Sequence, residues 1–152
     1  VEMSEFHLNA LVAGEYDVPV ALISGDQEIC NEAKRVVPNI ETVVTKRGIT
    51  RFSATTKTLE SIKKELKSSA RIAIHKVMNN EIKPLKLDSD SVDLVLKFFD
   101  PDVPDVLEYI KGFERVDGRT IKYVARNIIE AYKMIEVAMI LSIGINAMLE
   151  RF

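Results

Sequence analysis

The protein has 152 residues, of which 23 are acidic and 21 basic, and 47% of its residues are hydrophobic. This composition suits one compact domain or two small ones, and it is unlike that of disordered chains. A net charge of -2 argues against a nucleic-acid-binding protein, because neutralising phosphates requires a basic surface. Cys30 is the single cysteine, so no internal disulfide can form and a reducing, cytoplasmic compartment is expected. No membrane span is predicted, because the longest uncharged stretch, residues 137–149, is shorter than the roughly 20 residues that a spanning helix needs.

The chain begins with a predicted helix followed by a predicted buried strand. Ser4 can cap a helix that runs through about residue 13, and Gly14 supplies the left-handed residue that ends it. Residues 18–23 are a continuous apolar run with β-branched members. Such a run is typical of a strand that is buried on both faces of a parallel sheet.

A second helix and a second strand complete a βαβ pattern. Residues 24–26 predict a tight turn in which Asp26 caps a helix over residues 27–37, which ends at Pro38. Residues 40–46 predict the next strand. Strands joined through a helix in this way are almost always parallel, with a right-handed crossover.

A change in pattern follows the second strand. Residues 46–54 lack periodicity and contain Gly48, so they predict a loop and a domain boundary near residue 50. Apolar residues at helical spacing then predict a long helix over residues 59–77, which Asn79 and Asn80 end.

The remainder predicts a smaller α+β unit. Residues 92–99 alternate as in a half-buried strand, and Asp102 and Pro104 open a helix that Gly112 closes. Residues 113–124, interrupted by Asp117-Gly118, predict a β-hairpin. Residues 127–149 predict a long helix that is apolar nearly all round, so it lies in a core or is covered by another subunit.

The predicted fold class is therefore α/β. Residues 1–50 form the βαβ portion of a mostly parallel sheet, and residues 51–152 form a smaller α+β unit with a long C-terminal helix.

Candidate site residues gather at the carboxyl edge of the predicted parallel sheet, where open α/β sheets bind ligands. Glu5 lies in the first turn of the first helix, and Asn9 lies one turn later on the same face. Asp26 follows the first strand, and Lys46 with Arg47 follows the second. The pairing of a carboxylate with an amide could serve a metal ion or an amine.

Each of these residues also has a purely structural explanation. The helix dipole alone favours Glu5 in a first turn, and Asp26 is suited to be a plain N-cap. Lys46 is of a type that is usually solvated at a strand end. His7 and His75 have no second ligand at metal-binding spacing, and no phosphate-binding or nucleophile motif is visible. Composition and spacing alone therefore predict only a soluble α/β module.

Two adjoining stretches give a more specific indication. Residues 4–14 read SEFHLNALVAG, residues 18–26 read VPVALISGD, and Glu32-Ala33 and Val37-Pro38 follow in order, as do residues 42–46 and 51–54. This pattern resembles the zinc-dependent D-aminopeptidases of the bacterial dipeptide-transport operon, and it corresponds to the carboxy-terminal half of that family.

The resemblance implies specific roles for a few residues. Glu5, in the pair Ser4-Glu5, matches a carboxylate ligand of a site that holds two zinc ions in the complete enzyme. Asn9, Asp26 and Lys46 become pocket or outer-shell groups. The family's other zinc ligands and its catalytic histidine have no counterpart in this sequence, and Gln27 stands where the family often has a second acid.

The implied function is hydrolysis of amino-terminal D-residues from small peptides by a cytoplasmic homo-oligomer. Because one carboxylate cannot hold two zinc ions, this chain alone is expected to be inactive and to need an upstream segment that completes the site. The alternative is a non-catalytic α/β ligand-binding or assembly module that keeps the fold without the metal.

Overall fold

The computed structural model describes residues 2–149. The chain divides into two compact units, Val1–Lys86 and Leu87–Phe152. The boundary predicted near residue 50 therefore lies inside the first unit. Within the described residues, no helix combines the length and the apolar character that crossing a bilayer requires.

The first unit contains three helices and a three-stranded sheet. Its elements are α1 (Glu5–Glu15), β1 (Leu22–Asp26), α2 (Gln27–Val36), β2 (Glu41–Thr50), β3 (Ser53–Thr56) and α3 (Leu59–Met78). The strand order is β1-β2-β3. Strands β1 and β2 are parallel, which confirms the predicted βαβ unit, whereas β3 is antiparallel to β2.

The core of the first unit lies where α1, α2 and the start of β2 meet. Its buried members are Ala10, Ala33, Val37, Ile40 and Ile82. The two helix N-termini are capped as predicted, because Ser4 accepts a hydrogen bond from the His7 N–H and Asp26 accepts one from the Ile29 N–H. Helix α3 also ends as predicted, at Asn79 and Asn80.

The prediction of a strand over residues 18–23 is wrong in position, and the predicted turn at residues 24–26 is part of the strand. Strand β1 begins at Leu22 because its partner β2 begins only at Glu41, which is the register partner of Leu22. The strand then runs directly into α2 through Asp26. It is half-buried rather than buried on both faces.

The prediction that Gly14 ends the first helix in a left-handed conformation is also wrong. Helix α1 continues to Glu15, and Asp17 takes the positive φ of 59°. Gly14 is required for a different reason, since a Cβ at this position would overlap the carbonyl oxygen of Leu85.

Residues 46–54, predicted as a loop, belong to a β-hairpin made by β2 and β3. Lys46 pairs with Thr56, and Gly48 pairs with Ala54. Every residue from 46 to 56 is exposed, so the hairpin rests on its backbone ladder and not on burial. The sequence therefore carries no apolar alternation that could predict it.

The second unit is an antiparallel three-stranded sheet with two helices. Its elements are β4 (Val92–Lys97), α4 (Asp102–Leu107), β5 (Phe113–Asp117), β6 (Thr120–Ala125) and α5 (Ile128–Leu149), and the strand order is β4-β6-β5. Its buried core comprises Val103, Leu107, Phe113, Ile121 and Ala138.

Most predictions for the second unit are confirmed. The hairpin at Asp117-Gly118, the alternation of β4 and the long final helix are all present. Two bounds differ, because β4 ends at Lys97 and α4 ends at Leu107 rather than continuing to Gly112. The chain turns after α4, and Gly112 takes a φ of 102° beside the Tyr123 ring. Together the two units confirm the predicted α/β fold class, with its parallel βαβ portion and its long C-terminal helix.

Candidate functional site

Asp26 and Lys46 are neighbours at the carboxyl edge of the parallel strand pair. Their Cα atoms are register partners, and the ladder shifts by one residue between Gly25 and Asp26. The Thr45 hydroxyl donates a hydrogen bond of 2.9 Å to the Gly25 carbonyl oxygen, which fixes the two strand ends. The structure thus brings together two of the residues that the sequence placed at this edge.

Asp26 is partly engaged by its structural role. One of its carboxylate oxygens, Oδ1, accepts a hydrogen bond of 3.0 Å from the Ile29 N–H at the start of α2. Lys46 is exposed. An exposed lysine whose strand partner is an aspartate with free acceptor capacity can bind a small ionic or polar ligand, but this pair does not identify the ligand.

Ser4 fixes the start of α1 against α2. Its hydroxyl accepts a hydrogen bond from the His7 N–H at 3.2 Å and donates one to a carboxylate oxygen of Glu32. Glu5 follows Ser4 directly and is exposed, as is Asn9 one turn later. The two side chains share a helical face, as predicted from their spacing.

Glu32 is the residue that reasoning from spacing missed. It lies 28 positions after Ser4, and only its presence among the family-like residues pointed to it. A carboxylate that accepts from the capping hydroxyl positions the helix turn that carries Glu5.

Among the residues that the structure describes, neither histidine forms part of a metal-binding group. His7 is half-buried in α1, and His75 is exposed in the last turn of α3. Within residues 2–149, no three or more side chains of histidine, cysteine, aspartate or glutamate lie together so that they could hold a metal ion. A catalytic zinc ion typically takes three protein ligands and one water, so the described residues do not make a complete zinc site by themselves.

Cys30 is not placed to act as a nucleophile. It is buried in α2, and burial raises the pKa of its thiol despite a hydrogen bond to the Gly25 backbone. A raised pKa keeps the sulfur protonated and unreactive near neutral pH.

The chain is similar to known proteins in both sequence and fold. The sequence profile of the family described as D-aminopeptidase matches residues 1–137. The chain belongs to this D-aminopeptidase family. The resemblance seen in residues 4–54 is thereby confirmed and extends into the second unit.

Comparison with relatives shows what share of a D-aminopeptidase this chain represents. The chain is 31% identical over 142 residues to the D-aminopeptidase of Bacillus subtilis strain 168, covering 90% of this chain and 51% of that protein. Its structure is similar to that of the Zn-dependent D-aminopeptidase DppA from Bacillus subtilis, a self-compartmentalizing protease, with a TM-score of 0.85 and 28% identity. That match covers 93% of this chain and 51% of DppA, so the chain spans about half the length of these relatives.

Proposed function

We propose that this chain is part of a zinc-dependent aminopeptidase that hydrolyses amino-terminal D-residues from small peptides. The family match over residues 1–137 carries the proposal, and the fold shared with DppA supports it. Because the chain spans half of these relatives, the proposed activity belongs to the chain together with a segment that completes the site. The chain alone is expected to be inactive, and its proposed compartment is the cytoplasm.

Glu5 is the proposed zinc ligand of this chain. Its support is the match of Ser4-Glu5 to the family pattern and its position in an exposed first helical turn, where the carboxylate is open to a ligand. The remaining ligands of the proposed two-zinc site would have to come from another segment, since the described residues lack a donor set.

Asn9, Asp26 and Lys46 are proposed to line the site around the metal. The amide of Asn9 shares a helical face with Glu5, so it could orient the Glu5 carboxylate through a hydrogen bond. Lys46 would pair with the carboxylate terminus of a small peptide, and Asp26, its register partner, would face the same ligand from the neighbouring strand end.

The decisive assay uses two dipeptides, D-alanyl-glycine and L-alanyl-glycine, which differ only in the configuration of the first residue. The protein assembled with its completing segment should hydrolyse the D-peptide at least tenfold faster. A chelator should abolish the activity, and added zinc should restore it. Equal rates on both peptides, or hydrolysis that survives the chelator, would exclude the proposal.

A non-catalytic ligand-binding or assembly module is the second candidate, and the incomplete donor set within residues 2–149 favours it. In that case the assembled protein would fold normally, bind no zinc in equilibrium dialysis and hydrolyse neither dipeptide. Zinc binding is therefore the cheaper first measurement.

We propose that the protein forms a homo-oligomer through the exposed apolar side chains of α5. Four of its apolar side chains are more than half exposed in the second unit: Met139, Ile140, Ile143 and Met148. Exposed apolar patches of this kind mark protein interfaces, and the relative DppA is a self-compartmentalizing protease. Ile143→Lys should lower the mass of the assembly in light scattering, whereas Val116→Lys, at an exposed apolar position on β5, should not.

A further inference from the structure

The β2–β3 hairpin extends beyond the parallel strand pair. Strand β1 ends at Asp26, the register partner of Lys46, so β2 and β3 continue past it as a two-stranded ribbon. At the end of this ribbon a hydrogen bond of 2.8 Å joins the hydroxyl groups of Thr50 and Ser53. The Phe52 N–H donates to Thr50 Oγ1 at 3.3 Å. These bonds give the turn a defined conformation, so its side chains are presented at fixed positions.

Two apolar side chains lie at the tip of the hairpin and are open to solvent. Phe52 is 90% exposed, and Ile49 is 65% exposed. Ile49 is the extra residue where the register between β2 and β3 shifts. The Arg51 guanidinium carbon lies 5.5 Å from the centroid of the Phe52 ring, a distance typical of a cation–π contact. The tip therefore presents a cation and apolar surface side by side.

The hairpin is also the start of a strongly basic segment. Every charged residue between positions 42 and 59 is basic: Lys46, Arg47, Arg51 and Lys57. Of these four, Lys57 pairs with Glu65, and the other three form no ion pair within residues 2–149. Residues 46–76 contain nine bases and two acids, whereas the remainder of the chain contains 12 bases and 21 acids. The small net charge is therefore the sum of a basic segment and an acidic remainder, and the hairpin attracts anions.

The chemistry of the tip favours an anionic lipid surface over a nucleic acid. Lipid phosphates attract cations such as Arg47 and Arg51. The boundary between headgroups and acyl chains takes up apolar side chains such as Ile49 and Phe52. A nucleic acid would accept the cations and could stack a base on a phenylalanine, but its backbone offers no apolar partner for an isoleucine.

We propose that the tip of the β2–β3 hairpin, residues 47–52, binds the surface of a bilayer that contains anionic lipids. Ile49 and Phe52 enter the boundary between headgroups and acyl chains, while Arg47 and Arg51 contact lipid phosphates. The binding is peripheral and reversible, because two apolar side chains and a few cations give only a weak attraction. It needs neither a metal ion nor peptidase activity, so it is independent of the proposed function.

A single tryptophan at the tip tests this proposal, because the sequence contains no tryptophan of its own. The emission of Phe52→Trp should shift to shorter wavelength when vesicles of phosphatidylglycerol and phosphatidylcholine are added, since the indole then leaves water. Vesicles of phosphatidylcholine alone should bind about tenfold more weakly. Phe99→Trp is the matched control. Phe99 is 99% exposed but is followed by Asp100, so its emission should not change.

A second pair of variants tests the cations. Arg47→Gln combined with Arg51→Gln should weaken binding to the anionic vesicles about tenfold or more, because each basic residue near such a surface contributes roughly fivefold. Lys111→Gln combined with Lys133→Gln removes the same net charge from exposed positions of the second unit and should change binding by less than about twofold. All four positions are exposed, so circular dichroism should show that both double variants remain folded.

Several outcomes would overturn the proposal. They are an unchanged emission of Phe52→Trp with anionic vesicles, equal binding to phosphatidylcholine alone, and equal weakening in the two double variants. An emission that shifts with protein concentration in the absence of vesicles would also overturn it, because a second copy of the chain would then cover the tip. Quenching by a single-stranded oligonucleotide without any response to vesicles would identify a nucleic acid as the occupant instead.

Discussion

The Ser4 hydroxyl donates a hydrogen bond to a carboxylate oxygen of Glu32, on the helix that follows in the chain. The same hydroxyl caps α1 by accepting from the His7 N–H. One side chain therefore both begins the helix that carries Glu5 and ties it to α2. Thr58 provides a comparison, because it caps α3 by accepting from the Ser61 N–H at 3.3 Å, across only three residues.

Ser4→Ala should destabilise the protein more than Thr58→Ala does. Loss of a helix cap alone lowers the free energy of unfolding by about 1 kcal/mol. Ser4→Ala also removes a hydrogen bond to a charged group, and this loss lowers it by about 1 kcal/mol or more in addition. Urea unfolding of the two variants measures the difference. Equal losses would show that the link to Glu32 contributes nothing to stability.

Gly14 and Gly144 both lie inside helices and should respond to alanine in opposite directions. A Cβ at residue 14 would overlap the Leu85 carbonyl oxygen, whereas a Cβ at residue 144 would meet no atom within 4 Å. Gly14→Ala should therefore lower the free energy of unfolding by about 3 kcal/mol, because the backbone around residue 14 or residue 85 must move to make room for the methyl group. Gly144→Ala should stabilise α5 by about 0.5 to 1 kcal/mol, since alanine is the better helix former. If urea unfolding showed that the free energy of unfolding changes in the same direction in both variants, this description of the α1 packing would be refuted.

Glu130, in the first turn of α5, should make the stability of the protein depend on pH under acidic conditions. The side chain and the backbone N–H of Arg126 both donate to the Glu130 carboxylate, and they lower the pKa of Glu130 from its usual 4.5 to about 2. A carboxyl group whose pKa is lowered in the folded state contributes stability above its unfolded pKa. That contribution is lost as the pH falls from about 4.5 to about 2.

Glu130→Gln should flatten the dependence of the unfolding free energy on pH across this window. Arg126→Gln should move the pKa of Glu130 back towards its usual value, because it removes the guanidinium that donates to the carboxylate. Carbon-detected NMR titration of Glu130 follows the pKa directly. A Glu130 that titrates normally in the unmodified protein would contradict the assignment.

Local signals predicted much of the fold, and contacts between distant residues account for what was missed. The Asp26 cap, the end of α3 at Asn79-Asn80 and the turn at Asp117-Gly118 each depend on a few adjacent residues. The start of β1 depends instead on where β2 begins, and the need for glycine at position 14 comes from the carbonyl group of Leu85, far along the chain. Spacing along one helix cannot reveal such partners.

In the candidate site, too, local sequence signals predicted some features and missed others. The topology of a βαβ unit predicted that Asp26 and Lys46 meet at one edge, and their register pairing agrees with it. The contact between Ser4 and Glu32 has no local signal. The metal-binding role of Glu5 stays a prediction that rests on the family pattern, because one exposed carboxylate does not reveal what it binds.

The amount of zinc bound per chain shows whether Glu5 is a zinc ligand. In the protein assembled with its completing segment, Glu5→Gln keeps the size of the side chain but removes the charge proposed to hold zinc. Glu60→Gln is the matched control. Glu60 lies in the first turn of α3 as Glu5 lies in the first turn of α1, so each carboxylate has the same kind of interaction with the dipole of its own helix. That interaction amounts to about 0.3 to 1 kcal/mol of stability. Elemental analysis should show that zinc falls in Glu5→Gln and is unchanged in Glu60→Gln, with similar melting temperatures. An unchanged zinc content in Glu5→Gln would rule out Glu5 as a zinc ligand.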